Sequence, residues 1–94
     1  HMKILKYVIN DTGLPIIFSL DNLHTDILTK VVSAGYVIID YDWEKEFFFV
    51  KCYGESSCLG ISSRLKDTSI IEIHLNGCLY EEKINGVNFD SISN

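Results

Sequence analysis

Four short runs of β-branched and aromatic residues, separated by turn-forming residues, constrain the fold of this chain most. They are residues 4–9, 15–18, 36–39 and 47–50. Such runs are typical of strands. Asp11-Thr12-Gly13 supplies turn chemistry between the first two, and Pro15, which lacks an N–H, is suited to a strand start or a sheet edge. The sequence therefore begins with a predicted β-hairpin.

Apolar residues at helical spacing follow each predicted pair of strands. The first set is Leu23, Ile27, Leu28 and Val31, with Asn22 or Thr25 as the N-cap, and it predicts a short first helix. The second set is Leu65, Ile70, Ile71, Ile73 and Leu75, with Ser62 or Ser63 as the N-cap and Gly77 as the stop signal.

The element order predicts an α+β fold made of two ββα units. We expect a four-stranded antiparallel sheet with two helices on one face, plus a C-terminal hairpin. Residues 1–2 are interpreted as the remnant of an expression tag, residues 3–78 as the single domain, and residues 79–94 as the hairpin or a docking tail. Asn85-Gly86 favours a two-residue hairpin turn within that tail.

The predicted third and fourth strands are apolar at consecutive positions rather than at alternate ones. Both of their faces are therefore expected to be buried, although a single layer of helices covers only one. The 47% hydrophobic content is also high for a chain of 94 residues. Together these features predict a homo-oligomer that associates through its sheet, with Ile38, Trp43 and Phe48 as interface candidates and another protein as a further possible partner.

Charge and cysteine content narrow the function classes. The net charge of −5 argues against a nucleic-acid partner, because such binding depends on basic side chains that displace counterions. No run approaches the roughly 20 apolar residues that span a bilayer, and no secretion signal is evident. The odd set of three cysteines favours a reducing, cytoplasmic environment without disulfides.

The segment 54–64 combines two glycines, four serines and one arginine just before the predicted second helix. Small hydroxyl donors, a guanidinium and free helix N–H groups are the components of an anion site. This interpretation predicts a phosphate or nucleotide ligand. The alternative is a capping loop in which Ser63 caps the helix and Arg64 pairs with Glu55 or Asp67. The candidate ligand-binding residues are Ser56, Ser57, Ser62, Ser63 and Arg64.

Metal and catalytic interpretations are weaker. Cys52, Cys58, His74 and Cys78 form a C-x5-C-x15-H-x3-C set of zinc-type ligands, but the first spacing is wider than an ordinary zinc knuckle. Core cysteines explain the set better, so we expect no metal and no cofactor. A cysteine with His24 or His74 lacks a recognised nucleophile signature, and His24 is expected to be a surface or capping residue. The sequence therefore assigns no catalytic residue.

Two motifs carry a resemblance. They are Val32-Ser33-Ala34-Gly35-Tyr36-Val37, and the loop from Tyr53 to Arg64 followed by Asp67. The chain resembles a group of short uncharacterised proteins of bacteria and their phages, which carry an S-A-G-aromatic-V strand, a G-x-S-x-S-L-G loop and an S-R-P-E-D helix start. Here Leu65 and Lys66 replace the Pro and Glu, and Cys58 takes a Ser position. The resemblance implies a prokaryotic or phage origin and carries no functional residue.

Two functions remain as hypotheses. The first is a small non-enzymatic interaction protein that self-associates through its sheet; a phage-borne inhibitor of a host protein fits its size and acidity. The alternative is a binder of a phosphate-containing small molecule or nucleotide at the loop 54–64.

Overall fold

The computed structural model describes residues 2–85, in which one helix accompanies a four-stranded antiparallel sheet. The sheet has the order β2-β1-β3-β4, and a two-stranded ribbon lies between β4 and the helix in the chain. The α+β class and the four-stranded antiparallel sheet are thus confirmed. The elements are β1 (Met2–Asn10), β2 (Pro15–Phe18), β3 (Val31–Asp42), β4 (Phe47–Tyr53), β5 (Glu55–Ser56), β6 (Ile61–Ser62) and α1 (Asp67–Asn85).

Side-chain acceptors fold the two main hairpins. Asn10 Oδ1 accepts the N–H groups of Thr12 at 3.0 Å and Leu14 at 2.9 Å, which closes the predicted turn between β1 and β2. Asp42 Oδ1 does the same for Glu44 and Lys45, both at 3.0 Å, between β3 and β4. Asn and Asp favour turns because their side chains bond to the backbone just ahead. The predicted strand positions hold, although β3 and β4 are longer than the apolar runs suggested.

The predicted first helix is wrong. Only a single 3-10 turn, His24–Asp26, forms there, and Val31 already begins β3. The apolar spacing did not mark a buried face, because Leu28 is 96% exposed. The arrangement is therefore not two ββα units, and a single helix replaces the expected pair.

His24 is buried rather than at the surface, which corrects a second expectation. Its Nε2 lies 2.9 Å from the carbonyl oxygen of Gly35, and its ring contacts Phe18 and Tyr36 edge-on. The segment around His24 thereby packs against the sheet and helps to cover Val8 and Ala34, which are fully buried. These two residues lie on the face of the sheet that points away from α1, by strand alternation.

The second predicted helix exists but extends beyond its expected end. Gly77 stays in a right-handed conformation, and α1 continues for two more turns to Asn85. Residues 79–85 are therefore helical, so the predicted C-terminal hairpin lacks its first strand. Its second part, residues 86–94, lies outside the described residues.

The main hydrophobic core lies between the sheet and α1. Tyr7 and Ile9 of β1, Val37 of β3 and Ile71 of α1 are fully buried and pack together. We call this side of the sheet the inner face. No helix among residues 2–85 has the length and hydropathy needed to cross a membrane.

Candidate functional site

Helix α1 lies beside β4 and bonds to its outer edge through a row of polar side chains. Thr68 Oγ1 accepts the N–H of Cys52 at 3.0 Å, and a Glu72 carboxylate oxygen accepts that of Val50 at 3.2 Å. Asn76 accepts the N–H of Phe48 at 2.8 Å and donates to its carbonyl oxygen at 3.0 Å. These three helix residues form what we call the edge ladder.

The geometry of a helix and a strand explains the edge ladder. Four helical residues rise ~6.0 Å along the axis, and two strand residues advance ~6.6 Å. Polar residues at i, i+4 and i+8 of α1 therefore keep step with every second N–H of β4. An open strand edge offers its backbone groups to other chains. The edge ladder satisfies these N–H groups from within the chain, which leaves β4 closed to strand addition.

A buried carboxylate fixes the start of α1. Asp67 is fully buried and accepts a 2.6 Å hydrogen bond from the hydroxyl of Tyr7, which lies in the middle of β1. It also accepts the backbone N–H of Arg64 at 2.9 Å and its Nε at 3.0 Å. Asp67 therefore supplies the back-bonding half of a capping box, in which a side chain of the first turn accepts the N–H of the residue that precedes the helix. It also joins the helix to the sheet across 60 residues of chain.

The pKa values of this cluster follow from its burial and hydrogen bonds. Burial opposes ionisation of Asp67, but the hydrogen bonds from Tyr7 and Arg64 outweigh it and hold the pKa of Asp67 below its usual value. Burial, together with the hydrogen bond to Asp67, raises the pKa of Tyr7. Burial raises the pKa of the neighbouring Cys52 thiol to about 11. A thiol whose pKa is raised in this way is a poorer nucleophile near neutral pH than an ordinary cysteine.

Ser33 borders the cluster without completing it. Its Oγ is buried and makes no hydrogen bond of ordinary length within the described residues, although it lies near enough to Asp67 to favour the charged carboxylate.

The serine-rich loop is a tight β-ribbon rather than an open cradle. Ser56 is buried, and its Oγ accepts the N–H of Leu59 at 3.3 Å, while its carbonyl oxygen accepts the N–H of Gly60 at 2.9 Å. Ser57 and Ser62 are exposed, and Ser63 is half-buried. The ribbon thus does not direct all four hydroxyls toward one point.

Arg64 is the member of the candidate anion site with donors to spare. Its Nε is paired with Asp67, and within residues 2–85 its two terminal nitrogens have no hydrogen-bond partner. Of the predicted alternative, the pairing of Arg64 with Asp67 is found in the structure, whereas the Ser63 side chain makes no hydrogen bond to the helix within residues 2–85. An anion could still approach the two terminal nitrogens.

Two glycines of the resembling motifs meet between β3 and the loop. A Cβ on Gly35 would lie 2.5 Å from the carbonyl oxygen of Tyr53, a distance that side-chain carbons do not tolerate. Gly54 has φ +79, a conformation that glycine adopts at little cost. Gly35 is therefore required by the close approach of two backbone segments, and Gly54 is favoured by its positive φ.

The four potential zinc ligands lie in three separate parts of the fold. Cys52 is half-buried on β4, Cys58 is exposed between β5 and β6, and His74 and Cys78 are on α1. Within residues 2–85 no three His, Cys, Asp or Glu side chains are arranged to hold a metal ion. The three thiols are free.

The interface candidates divide between the two faces of the sheet. Ile38 points away from α1, because its neighbour Val37 is in the inner core. Phe48 lies on the inner side, where its ring is 4.7 Å from that of Tyr41. Trp43 is 72% exposed in the β3–β4 turn and packs edge-on against Tyr41. Ile38 is therefore the candidate that tests association through the face opposite the helix.

Sequence reasoning missed the edge ladder and the central role of Tyr7. The signal for the ladder was present, because the polar residues Thr68, Glu72 and Asn76 recur every four residues. The partner of Asp67 could not be found in this way, because Tyr7 lies 60 residues away.

Comparison with known proteins adds no family to these observations. No protein-family model, curated protein or solved structure matches the chain.

Proposed function

We propose that this protein is a small non-enzymatic interaction module that self-associates through the sheet face opposite α1, here called the outer face. The observation that carries the proposal is a patch of exposed apolar side chains at one end of that face. The segment around His24 covers the opposite end only.

The strand register defines the patch. One cross-strand row contains Met2, Asp40 and Phe49, and the next contains Ile4, Ile38 and Lys51. Met2 is 69% exposed, Phe49 44% and Ile4 41%, whereas Ile38 between them is half-buried. Ile4, Ile38 and Phe49 are neighbours in adjacent rows and form an apolar surface bordered by Asp40 and Lys51, which is typical of a protein-binding site.

The charges around the patch favour a second copy as its occupant. The chain carries 13 acidic and 8 basic residues, so two copies repel each other over most of their surfaces. At the patch on the outer face both signs of charge are present, because Asp40 lies in the same row as Met2 and Phe49. Lys51 lies within the patch, Lys6 lies in the next row, and Lys45 is 5.6 Å from the centre of the Phe49 ring. These lysines offset the acidic charge where two copies would meet.

A two-fold arrangement also suits a shallow apolar patch. An isologous contact lets the same surface serve both partners, so one patch is buried twice. Burial of an aliphatic or aromatic side chain contributes about 1.5–3 kcal/mol. Because each contact is made twice, the two-fold arrangement doubles the hydrophobic gain from the exposed part of one patch.

The chemistry of the buried cluster supports a non-enzymatic role. Within residues 2–85 the groups with shifted pKa values are Tyr7, Cys52 and Asp67, and all three lie where β1, β4 and α1 meet. None of them is an exposed nucleophile or a free general base.

Sedimentation velocity of wild type and two variants tests the proposal. Ile38→Asp places a charge in the centre of the patch, and we expect it to remove the sheet contact and so lower the sedimentation coefficient of the assembly formed at tens of micromolar. Leu65→Asp is the matched control, because Leu65 is fully exposed before α1 and lies outside the patch. Wild type that sediments as a monomer at this concentration, or a dimer equally stable in both variants, would contradict the proposal.

A further inference from the structure

Helix α1 carries a second apolar surface on the side that points away from the sheet. Ile73 is 73% exposed, Tyr80 64% and Ile84 61%. With Gly77 they recur at intervals of four, three and four residues, which is the spacing of a coiled-coil seam. These four residues form what we call the outer seam. They lie opposite Ile71, which faces the core.

Among residues 2–85, no contact requires Gly77 to be glycine. It is helical, and a Cβ built on it meets no heavy atom within 4 Å. Glycine lowers the stability of a helix interior relative to alanine. A position without a side chain does, however, allow another helix to approach closely. Gly77 lies in the middle of the outer seam, where such an approach would occur.

We infer that the outer seam binds the same seam of a second copy in an antiparallel helix pair centred on Gly77. In that arrangement Gly77 faces its own counterpart, and Ile73 faces Tyr80 of the other copy. A small central position flanked by larger side chains on both sides makes the seam complementary to itself. This interface is distinct from the outer face of the sheet and does not depend on the proposed function.

Hydrogen-bonding side chains beside the seam favour the antiparallel direction. His74 and Glu81 occupy the same flank of α1, on the i and i+7 positions of one row. Antiparallel pairing brings His74 of each copy next to Glu81 of the other. Parallel pairing instead places Glu81 beside Asn76 of the other copy, and His74 beside Ser69 of the other copy. Lys83, on the other flank, is already paired with Glu46 at 3.1 Å.

Two isologous interfaces on separate faces have a defined consequence. Each copy would contact one neighbour through its sheet and another through α1. When the two-fold axes of the two interfaces are perpendicular, these contacts close into a four-subunit assembly with dihedral symmetry. Variants in one interface should leave the other intact, so the two can be measured separately.

Disulfide cross-linking tests the register directly. In a Cys58→Ser/Cys78→Ser background, Gly77→Cys should form a covalent dimer rapidly under mild oxidation. The matched control is Cys78 in a Cys58→Ser protein, because that thiol is one residue further on and points ~100° around the helix. We expect it to cross-link at least about tenfold more slowly. Equal rates at positions 77 and 78 would overturn the inference.

A mixing experiment determines the direction of the pair. Ile73→Cys and Tyr80→Cys proteins, in the same background, should cross-link to each other and scarcely to themselves. Self-linked dimers of each variant would indicate a parallel pair and overturn the antiparallel register. Repeating the Gly77→Cys reaction in a protein that also carries Ile38→Asp separates the two proposals. The cross-link should persist in this variant although the sheet contact is lost. Loss of the cross-link in this variant would show that the helices do not pair independently.

Ile73→Asp provides a non-covalent test. It should weaken helix-mediated association at least about tenfold, because a charge replaces an aliphatic side chain in both copies of the seam. Far-UV circular dichroism checks that α1 still forms. An unchanged association constant in a folded Ile73→Asp/Ile38→Asp protein, compared with Ile38→Asp alone, would contradict the inference.

Discussion

The hydrogen bond from Tyr7 to Asp67 is predicted to be the most costly single contact to remove. Tyr7→Phe keeps the ring in the core and deletes only the hydroxyl that bonds to the buried carboxylate at 2.6 Å. A hydrogen bond to a charged group contributes about 1.5–3 kcal/mol. For a domain of this size that loss corresponds to a fall in Tm of roughly 6–24 °C.

Urea unfolding followed by far-UV circular dichroism measures this loss. Tyr53→Phe is the matched control, because Tyr53 is 39% exposed and its hydroxyl has no hydrogen-bond partner among the described residues. We expect the control to change the free energy of unfolding by less than about 0.5 kcal/mol. Equal effects of the two variants would refute the central role assigned to the Tyr7 hydroxyl.

The acid dependence provides an independent check. The pKa of Asp67 is lowered in the folded state, so the unfolded chain binds the proton more readily. The contribution of this carboxylate is therefore fully present above about pH 4 and is lost as the pH falls through its folded pKa. The difference in stability between wild type and Tyr7→Phe should be smaller near pH 2 than at pH 7. A difference that grows on acidification would show that Asp67 is not the charged partner.

Three further predictions concern the edge ladder, the loop and the thiols. Asn76→Leu should destabilise the fold by about 1–3 kcal/mol in urea unfolding, because the backbone groups of Phe48 lose both partners, and no change in stability would contradict the ladder. Arg64→Ala should lower the free energy of unfolding by about 1 kcal/mol; if the anion hypothesis holds, millimolar phosphate, sulfate or nucleotide raises the Tm of wild type and not of this variant, and no response in wild type eliminates that hypothesis. Native thiol titration at pH 8 should label two cysteines quickly and Cys52 slowly, since burial raises the pKa of Cys52 to about 11; three equal rates would contradict its burial.

The strands could be predicted because their signals are local. β-Branched and aromatic residues mark each strand, and Asn10 and Asp42 bond to backbone N–H groups within four residues. The register and order of the strands depend on contacts between distant residues, so the apolar runs alone did not determine them. The run at 36–39 showed that β3 is apolar on both faces, but not that the chain around His24 covers one end of its outer face.

The helices were harder to predict because their signals compete. Leu23, Leu28 and Val31 have helical spacing, yet the chain between β2 and β3 is short, and Val31 is taken up by β3. Gly77 is a common stop signal, but a glycine ends a helix only when it adopts a left-handed conformation. Here it stays helical, and α1 continues. The hydrogen bond at Arg64 was not predicted because the sequence offered Ser62 or Ser63, ahead of the helix, as the capping residue. The side chain that accepts it comes instead from Asp67, the first residue of α1.

Isotope-filtered nuclear Overhauser spectroscopy of a mixed-labelled sample tests association through the outer face most directly. One copy carries labelled isoleucine methyl groups, and the other is unlabelled. The account predicts intermolecular signals from Ile4 and Ile38 methyl groups to aromatic protons of Phe49. Their absence at a concentration where sedimentation shows dimer would contradict it.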